Sequence, residues 1–204
     1  MIKVTIGQKT YEYEDGTTLY EIAREHQSEY KHQIILAKCN GTLSELSKVL
    51  VENCNITFVT TASFVGNECY RRSATFLMLK AFYAVAGRNN IEKISVHCSV
   101  SKGYYCQVFG NVELLKNVRN EMIKLCKRDI LIQKESIPTA KAIKKFERYG
   151  MKDKVHLLKY RRSSAVNIYR IEGFEDYFYG YMAYSTGILK YFDLIKYDEG
   201  FVLQ

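Results

Sequence analysis

The sequence predicts an α+β fold divided into a small mixed domain over residues 1–62 and a larger two-layer α/β domain over residues 63–204. Three observations carry this. The first domain alternates apolar and polar side chains in short runs broken by turn residues, with one helical segment among them. From Glu68 to Val85 the apolar and small positions, Ala74, Leu77, Met78, Ala81 and Val85, follow a period near 3.6, the pattern of a long, largely buried helix. The charge also changes sign between the two stretches. Residues 1–62 hold six Lys/Arg against eight Asp/Glu, a net of −2, which leaves +10 on residues 63–204 for an overall charge of +8.

In the first domain Ile2, Val4 and Ile6 alternate with polar residues, and Tyr11 and Tyr13 resume the alternation after Gly7-Gln8-Lys9, a hairpin signature. Asp15-Gly16-Thr17-Thr18 forms a turn. Thr18 followed three residues later by Glu21 predicts a capping box for a helix carrying Leu19, Ile22 and Ala23. The run Ile34-Ile35-Leu36-Ala37-Lys38-Cys39, the turn Asn40-Gly41, a segment with Leu43 and Leu46, and the strand Ile56-Thr57-Phe58-Val59 complete the unit.

In the second domain the long helix ends at Gly87 with Asn89-Asn90, since glycine tolerates the left-handed conformation that closes a helix. Strands are expected from Lys93 to Val100 and from Tyr104 to Phe109 about a Lys102-Gly103 turn. A helix follows from Glu113 to Arg128, acidic at its start and basic at its end, which suits the helix dipole. The chain then reads as a strand Ile130-Leu131-Ile132, a helix opening near Pro138 and stopping at Gly150, a short helix from Asp153 to Tyr160, and strands from Val166 to Val202. The helices of this domain are expected to pack on one sheet.

Composition narrows the class. With 47% hydrophobic and 25% charged residues the chain is a folded protein, and a single proline with 12 glycines leaves little material for a long linker. The six cysteines show no CxxC pair or zinc-ribbon spacing and behave as reduced, apolar side chains. Met1-Ile2-Lys3-Val4 runs straight into a strand rather than a leader, and no apolar run reaches the ~18 residues of a membrane span, so a cytoplasmic protein without membrane contact is expected.

Asp15-Gly16-Thr17-Thr18-Leu19 before the first helix and Ala37-Lys38-Cys39-Asn40-Gly41 after it resemble the TGS domain, a β-grasp module of threonyl-tRNA synthetases, stringent-response enzymes and some GTPases. Residues 63–204 resemble the domain that follows TGS in threonyl-tRNA synthetases, where it removes misattached serine, and which alanyl-tRNA synthetases share. The order of parts carries this second resemblance: the helix at Arg71 to Leu77, Lys102-Gly103-Tyr104-Tyr105, the helix ending at Gly150, Asp153-Lys154-Val155, and Asp176-Tyr177-Phe178-Tyr179-Gly180 with Ser185-Thr186-Gly187 behind it.

That family carries HxxxH on the first helix and CxxxH on the late loop, and two histidines four apart share one helix face. Placed on this sequence, the helix pair falls at Arg72 and Phe76 and the loop pair at Phe178 and Met182. The four reactive side chains are absent. Arginine stays protonated, phenylalanine has no lone pair, and methionine is a soft, weak ligand, so neither catalytic residues nor a metal site are expected. His97 and His156 are isolated and follow no ligand spacing.

Tyr104, Lys154 and Asp176 match positions that line the family's pocket, with Tyr105 beside them. This set can bind a small polar ligand, or Lys154 and Asp176 can simply form an ion pair packed by tyrosines. Arg72 is expected to bind an anion or pair with Asp176, with Phe76 sealing the floor. Arg71, Lys144, Lys145, Lys159, Arg161 and Arg162 are candidates for RNA or other anions, or else solvate helix faces.

Tyr70-Arg71-Arg72-Ser73, Phe146-Glu147-Arg148-Tyr149-Gly150, Leu157-Leu158-Lys159-Tyr160-Arg161 and Tyr197-Asp198-Glu199-Gly200-Phe201 resemble the N-terminal half of bacterial uridine kinase-like nucleoside kinases. The resemblance implies a P-loop kinase domain beyond Gln204, which would hold ATP and Mg and be this region's partner. No GxxxxGK[ST] occurs within the chain, so no cofactor is expected here. The expected role is a non-catalytic binding or regulatory region of such a kinase. The alternative is a tRNA or RNA-binding module derived from threonyl-tRNA synthetase, and an active editing hydrolase ranks last.

Overall fold

The computed structural model describes residues 1–87, 90–91, 93–101, 103–109 and 114–204. Asn89, Lys102 and Glu113, expected at a helix end, a turn and a helix start, lie outside the described residues. The chain forms two compact units, one from Met1–Leu131 with Tyr181–Gln204 and the other from Ile132–Gly180. The boundary expected after residue 62 falls inside the first unit.

The first unit opens with β1 (Ile2–Ile6) and β2 (Lys9–Tyr13), then α1 (Leu19–His26), β3 (Ile34–Cys39), β4 (Thr42–Glu45) and β5 (Cys54–Thr60). These strands form a mixed sheet in the order β2-β1-β5-β3-β4, with β1 and β5 parallel and the other neighbours antiparallel. The capping box is present: Glu21 N–H donates to Thr18 Oγ1 and Thr18 N–H donates to Glu21 Oε2. Donation from Thr18 N–H and from the Thr18 hydroxyl, both to Glu21 Oε2, holds the Glu21 carboxyl below its ordinary 4.5. α1 buries Leu19, Ile22 and Ala23 against Val4, Ile34, Leu46 and Ile56 of the sheet side.

After the sheet comes α2 (Phe64–Ala86), four residues ahead of its expected start. Ser63 caps it, accepting from Gly66 N–H while donating to Thr60 O. Gly66 is dictated by this junction, because a Cβ there would stand 2.0 Å from Thr60 O. A four-stranded sheet of order β11-β12-β7-β6 completes the unit, from β6 (Lys93–Val100), β7 (Gly103–Phe109), β11 (Leu194–Tyr197) and β12 (Gly200–Leu203), all antiparallel. α3 (Leu115–Lys127) buries Val118, Met122 and Leu125, and Phe82 of α2 meets Phe201 with ring centroids 5.3 Å apart.

The second unit is an antiparallel sheet of order β10-β9-β8, made of β8 (Gln133–Pro138), β9 (Ala165–Ile171) and β10 (Phe174–Tyr177), carrying α4 (Thr139–Arg148) and α5 (Lys152–Lys159). Its core is Ile137, Ala142, Phe146, Leu158, Val166, Ile168 and Tyr177. Apolar spacing in α4 and α5 fits this: Ala142 and Phe146, four apart, share one helix face.

Three expectations are corrected. Residues 63–204 build two sheets rather than one. Ile130–Ile132 is not a strand: Leu131 makes a single bridge to Ser185, with Ile130 N–H donating to Thr186 Oγ1 and Thr186 N–H to Ile130 O. The strand lies at Gln133–Pro138 instead, where Pro138 can end an edge strand because it owes the ladder no N–H. Residues 178–193 are irregular apart from one 3-10 turn at Thr186–Ile188, although they read as strand. Among the described residues no helix is long and apolar enough to cross a membrane.

Candidate functional site

In the first unit the segment 181–183 is fastened to α2 by polar bonds. Arg72 Nη1 donates to Tyr181 O at 2.8 Å. Ser73 Oγ, wholly buried, donates to Cys69 O and contacts Met182 Sδ at 3.8 Å, and it accepts from Ala183 N–H at 2.8 Å. Met182 N–H donates to Glu45 Oε1 at 2.9 Å, which ties the same segment to β4. Arg72, Phe76 and Met182 are thus part of a close-packed junction: Phe76 and Met182 are 0% and 1% exposed, and the guanidinium of Arg72 is held by a main-chain carbonyl. Ser73→Ala leaves the Ala183 N–H buried without an acceptor, so a loss of about 1–3 kcal/mol in unfolding free energy is expected by urea titration. A change under about 0.5 kcal/mol would show that the segment is not held this way.

Neighbouring Arg71 turns to β7. Its guanidinium carbon sits 4.0 Å from the Tyr104 ring centroid, Nη1 donates to Glu68 Oε1 at 3.2 Å and Nη2 to Gly103 O at 3.3 Å. Tyr105, next along the strand, points to the other face, where it stacks on His97 at 5.7 Å and meets Tyr197 edge-on at 6.0 Å.

The second unit holds Lys154, Asp176 and Phe178. Lys154 Nζ lies 3.1 Å from Asp176 Oδ1, which also accepts from Tyr177 N–H at 2.7 Å. The same ammonium stands 5.7 Å from the Phe178 ring centroid. Adjacent carboxylates on β10 respond oppositely to their surroundings. Burial pushes the Asp176 carboxyl above its ordinary 3.8, against the pull of Lys154 and the Tyr177 N–H. At Glu175 burial also works upward, but hydrogen bonds from Lys145, at 2.8 Å, and from Tyr149, at 3.0 Å, outweigh it and hold the carboxyl below 4.5.

The basic candidates separate in the same way. Lys145 is committed to Glu175, and Arg71 to Glu68 and Tyr104, whereas Lys144, Lys159 and Arg162 are exposed. Arg161 does something the sequence did not indicate: its guanidinium carbon stands 4.6 Å from the Tyr179 ring centroid and 5.7 Å from that of Tyr177. Tyr179 is 75% exposed and Tyr160 77%, while the Tyr177 hydroxyl is buried and has no hydrogen-bond partner among the described residues. Eleven Lys/Arg against six Asp/Glu give this unit a net of +5. Among the described residues no three His, Cys, Asp or Glu side chains converge as a metal site would require. Burial pushes the Cys69 and Cys106 thiols up to about 12, so they are inert apolar groups at neutral pH.

No protein-family model matches the chain. It is 31% identical over 192 residues to the threonine–tRNA ligase of Thermotoga neapolitana, covering 91% of this chain and 29% of that protein. The threonine–tRNA ligase of Rickettsia canadensis is 27% identical over 202 residues, covering 96% and 31%, and that of Acetivibrio thermocellus 26% over 205 residues, covering 96% and 31%. The chain thus spans about three-tenths of the length of these relatives and is a threonyl-tRNA synthetase-like region across nearly all its own length. A kinase context is not shown by them.

Proposed function

We propose that this chain is a non-catalytic RNA-binding module, a relative of the non-synthetic part of a threonine–tRNA ligase, and that tRNA is the RNA it takes. The observation that carries the reading is the pairing of Arg161 with the open ring of Tyr179 in a unit of net +5, flanked by Lys159, Tyr160 and Arg162. Phosphates are met by mobile cations and unstacked bases by exposed aromatic or guanidinium planes, and this surface offers both. Similarity to tRNA ligases supports the choice of tRNA over other RNA.

Hydrolysis is not part of the proposal. Arg72 is bound to a carbonyl, Phe76 and Met182 are buried, and Phe178 offers no lone pair, so the positions that resemble the editing centre hold neither a general base nor a nucleophile. A β-grasp character for residues 1–62 fits the mixed sheet and single helix. A nucleoside kinase as the parent, with ATP and Mg in a downstream domain, draws on the residue resemblance alone.

Titration of the chain with tRNA at two salt concentrations tests the reading. Binding is expected to weaken as salt rises, Tyr179→Ala to lower affinity about 5- to 150-fold, and removal of Lys159 or Arg162 to flatten the salt dependence by about one unit of slope. Absent or salt-independent binding would reject it.

A further inference from the structure

A cleft of about 210 Å3 opens in the first unit between α1 and the turn at residues 185–190, and it shares no lining residue with the junction at Arg72 or the surface at Arg161. Its floor is apolar: Ile34, Leu46 and Ile188 are 1%, 1% and 8% exposed. Arg24, from the last turn of α1, and Lys190, after the 3-10 turn, stand at the mouth, both exposed. Among the described residues neither forms a salt bridge.

The remaining polar groups of the wall already serve the fold. Gln27 Nε2 donates to Tyr30 O and His32 O, and its Oε1 accepts from Ile34 N–H and Gln33 Nε2. Asp129 Oδ1 accepts from Ser185 Oγ and from Gly187 N–H. Gly187 permits that approach, since a Cβ there would stand 2.1 Å from the same oxygen. Tyr20 is stacked on Tyr184 at 3.7 Å and 9°. The walls are therefore fixed before any ligand arrives, and the two cations are what is left to recognise one.

We infer that this cleft binds a small amphiphilic anion, its carboxylate or phosphate between Arg24 and Lys190 and its apolar or aromatic body on Ile34, Leu46 and Ile188. Arg24 feels the Glu21 carboxylate three residues back on α1, but neither cation is held in a salt bridge, and together they outweigh the single carboxylate of the lining, which selects an anion. The apolar floor selects a body larger than an inorganic ion.

Calorimetric titration of the whole chain with phenyl phosphate, benzoate and neutral benzyl alcohol tests this, with Arg24→Ala and Lys190→Ala as variants. Both side chains are exposed, so both variants are expected to fold. Saturable binding of phenyl phosphate, benzoate or both is expected, weakened about tenfold by either variant, with none for benzyl alcohol. Phenyl phosphate alone assigns a phosphate head, benzoate alone a carboxylate. No binding of either anion at millimolar concentration, equal binding of the neutral compound, or affinity unchanged in both variants overturns the inference. RNA binding through the second unit is unaffected by these outcomes, because its surface shares none of the altered residues.

Discussion

Replacing Lys154 with methionine is expected to lower the unfolding free energy by about 3–5 kcal/mol at neutral pH, a cost typical of leaving one member of a buried ion pair without its counter-charge. Asp176 is shut away from water: its side chain is 2% exposed, and among the described residues its Oδ1 is met by Lys154 and the Tyr177 N–H. The loss should depend on pH with a definite sign. An acid whose folded pKa lies above its unfolded one holds the extra proton in the folded state, so stability declines as pH rises through the gap. Burial already sets Asp176 above 3.8 with Lys154 in place, and without the ammonium the gap widens. The deficit of Lys154→Met is therefore small near the unfolded pKa and grows toward neutrality. Urea titrations from about pH 4 to about pH 8 read this directly. A deficit independent of pH would mean that lost packing, and not the stranded carboxylate, is responsible. The double change Lys154→Met with Asp176→Leu should recover most of the loss, since both charges leave together.

Phe76→Ala is expected to cost about 3–5 kcal/mol, the range for truncating a buried aromatic side chain. Phe76 is wholly buried on α2, a helix with Ser73, Ala74, Leu77, Met78 and Ala81 also inside. Phe76→His, which restores the residue type of the resembling editing family, should also destabilise, because an imidazole placed there must find a hydrogen-bond partner in an apolar setting. Thermal or urea unfolding checks both. A loss under about 1 kcal/mol for Phe76→Ala would mean that the surroundings collapse into the space, or that the position is open enough to admit a ligand.

What could be read from the sequence divides along physical lines. Thr18 and Glu21 announced α1 because a capping box is a local device, closed within four residues. The body of α2 was visible in its period, but its start was not. Phe64 and Val65 are 82% and 43% exposed, so the first turn carries apolar residues off the buried face and breaks the period. β8 has no sequence signature because Gln133-Lys134-Glu135-Ser136 lie exposed on an edge strand and show no alternation. Residues 178–184, rich in tyrosine, read as strand, yet Tyr169 Oη binds Gly180 O while Arg72, Ser73 and Glu45 take the main chain of 181–183. Those bonds join residues 11 to 137 positions apart, and no local pattern encodes them.

The candidate site follows the same division. Single residues such as Arg161 and Lys154 were legible as charges on a helix or beside one. Their partners, Tyr179 in one case and Asp176 in the other, depend on how β10 and the residues after it return along the helices. The cleft at Arg24 and Lys190 had no sequence signal, since its two cations are 166 positions apart.

The bridge between Leu131 and Ser185, reinforced by the paired bonds of Ile130 and Thr186, has an evolutionary reading. It joins the two stretches of the first unit on either side of residues 132–180. Residues 132–180 carry their own core and a net charge of +5, and the seam of the first unit is closed by bonds between its own residues. Substitutions among the tyrosines and lysines of residues 132–180 can therefore accumulate at little cost to that seam.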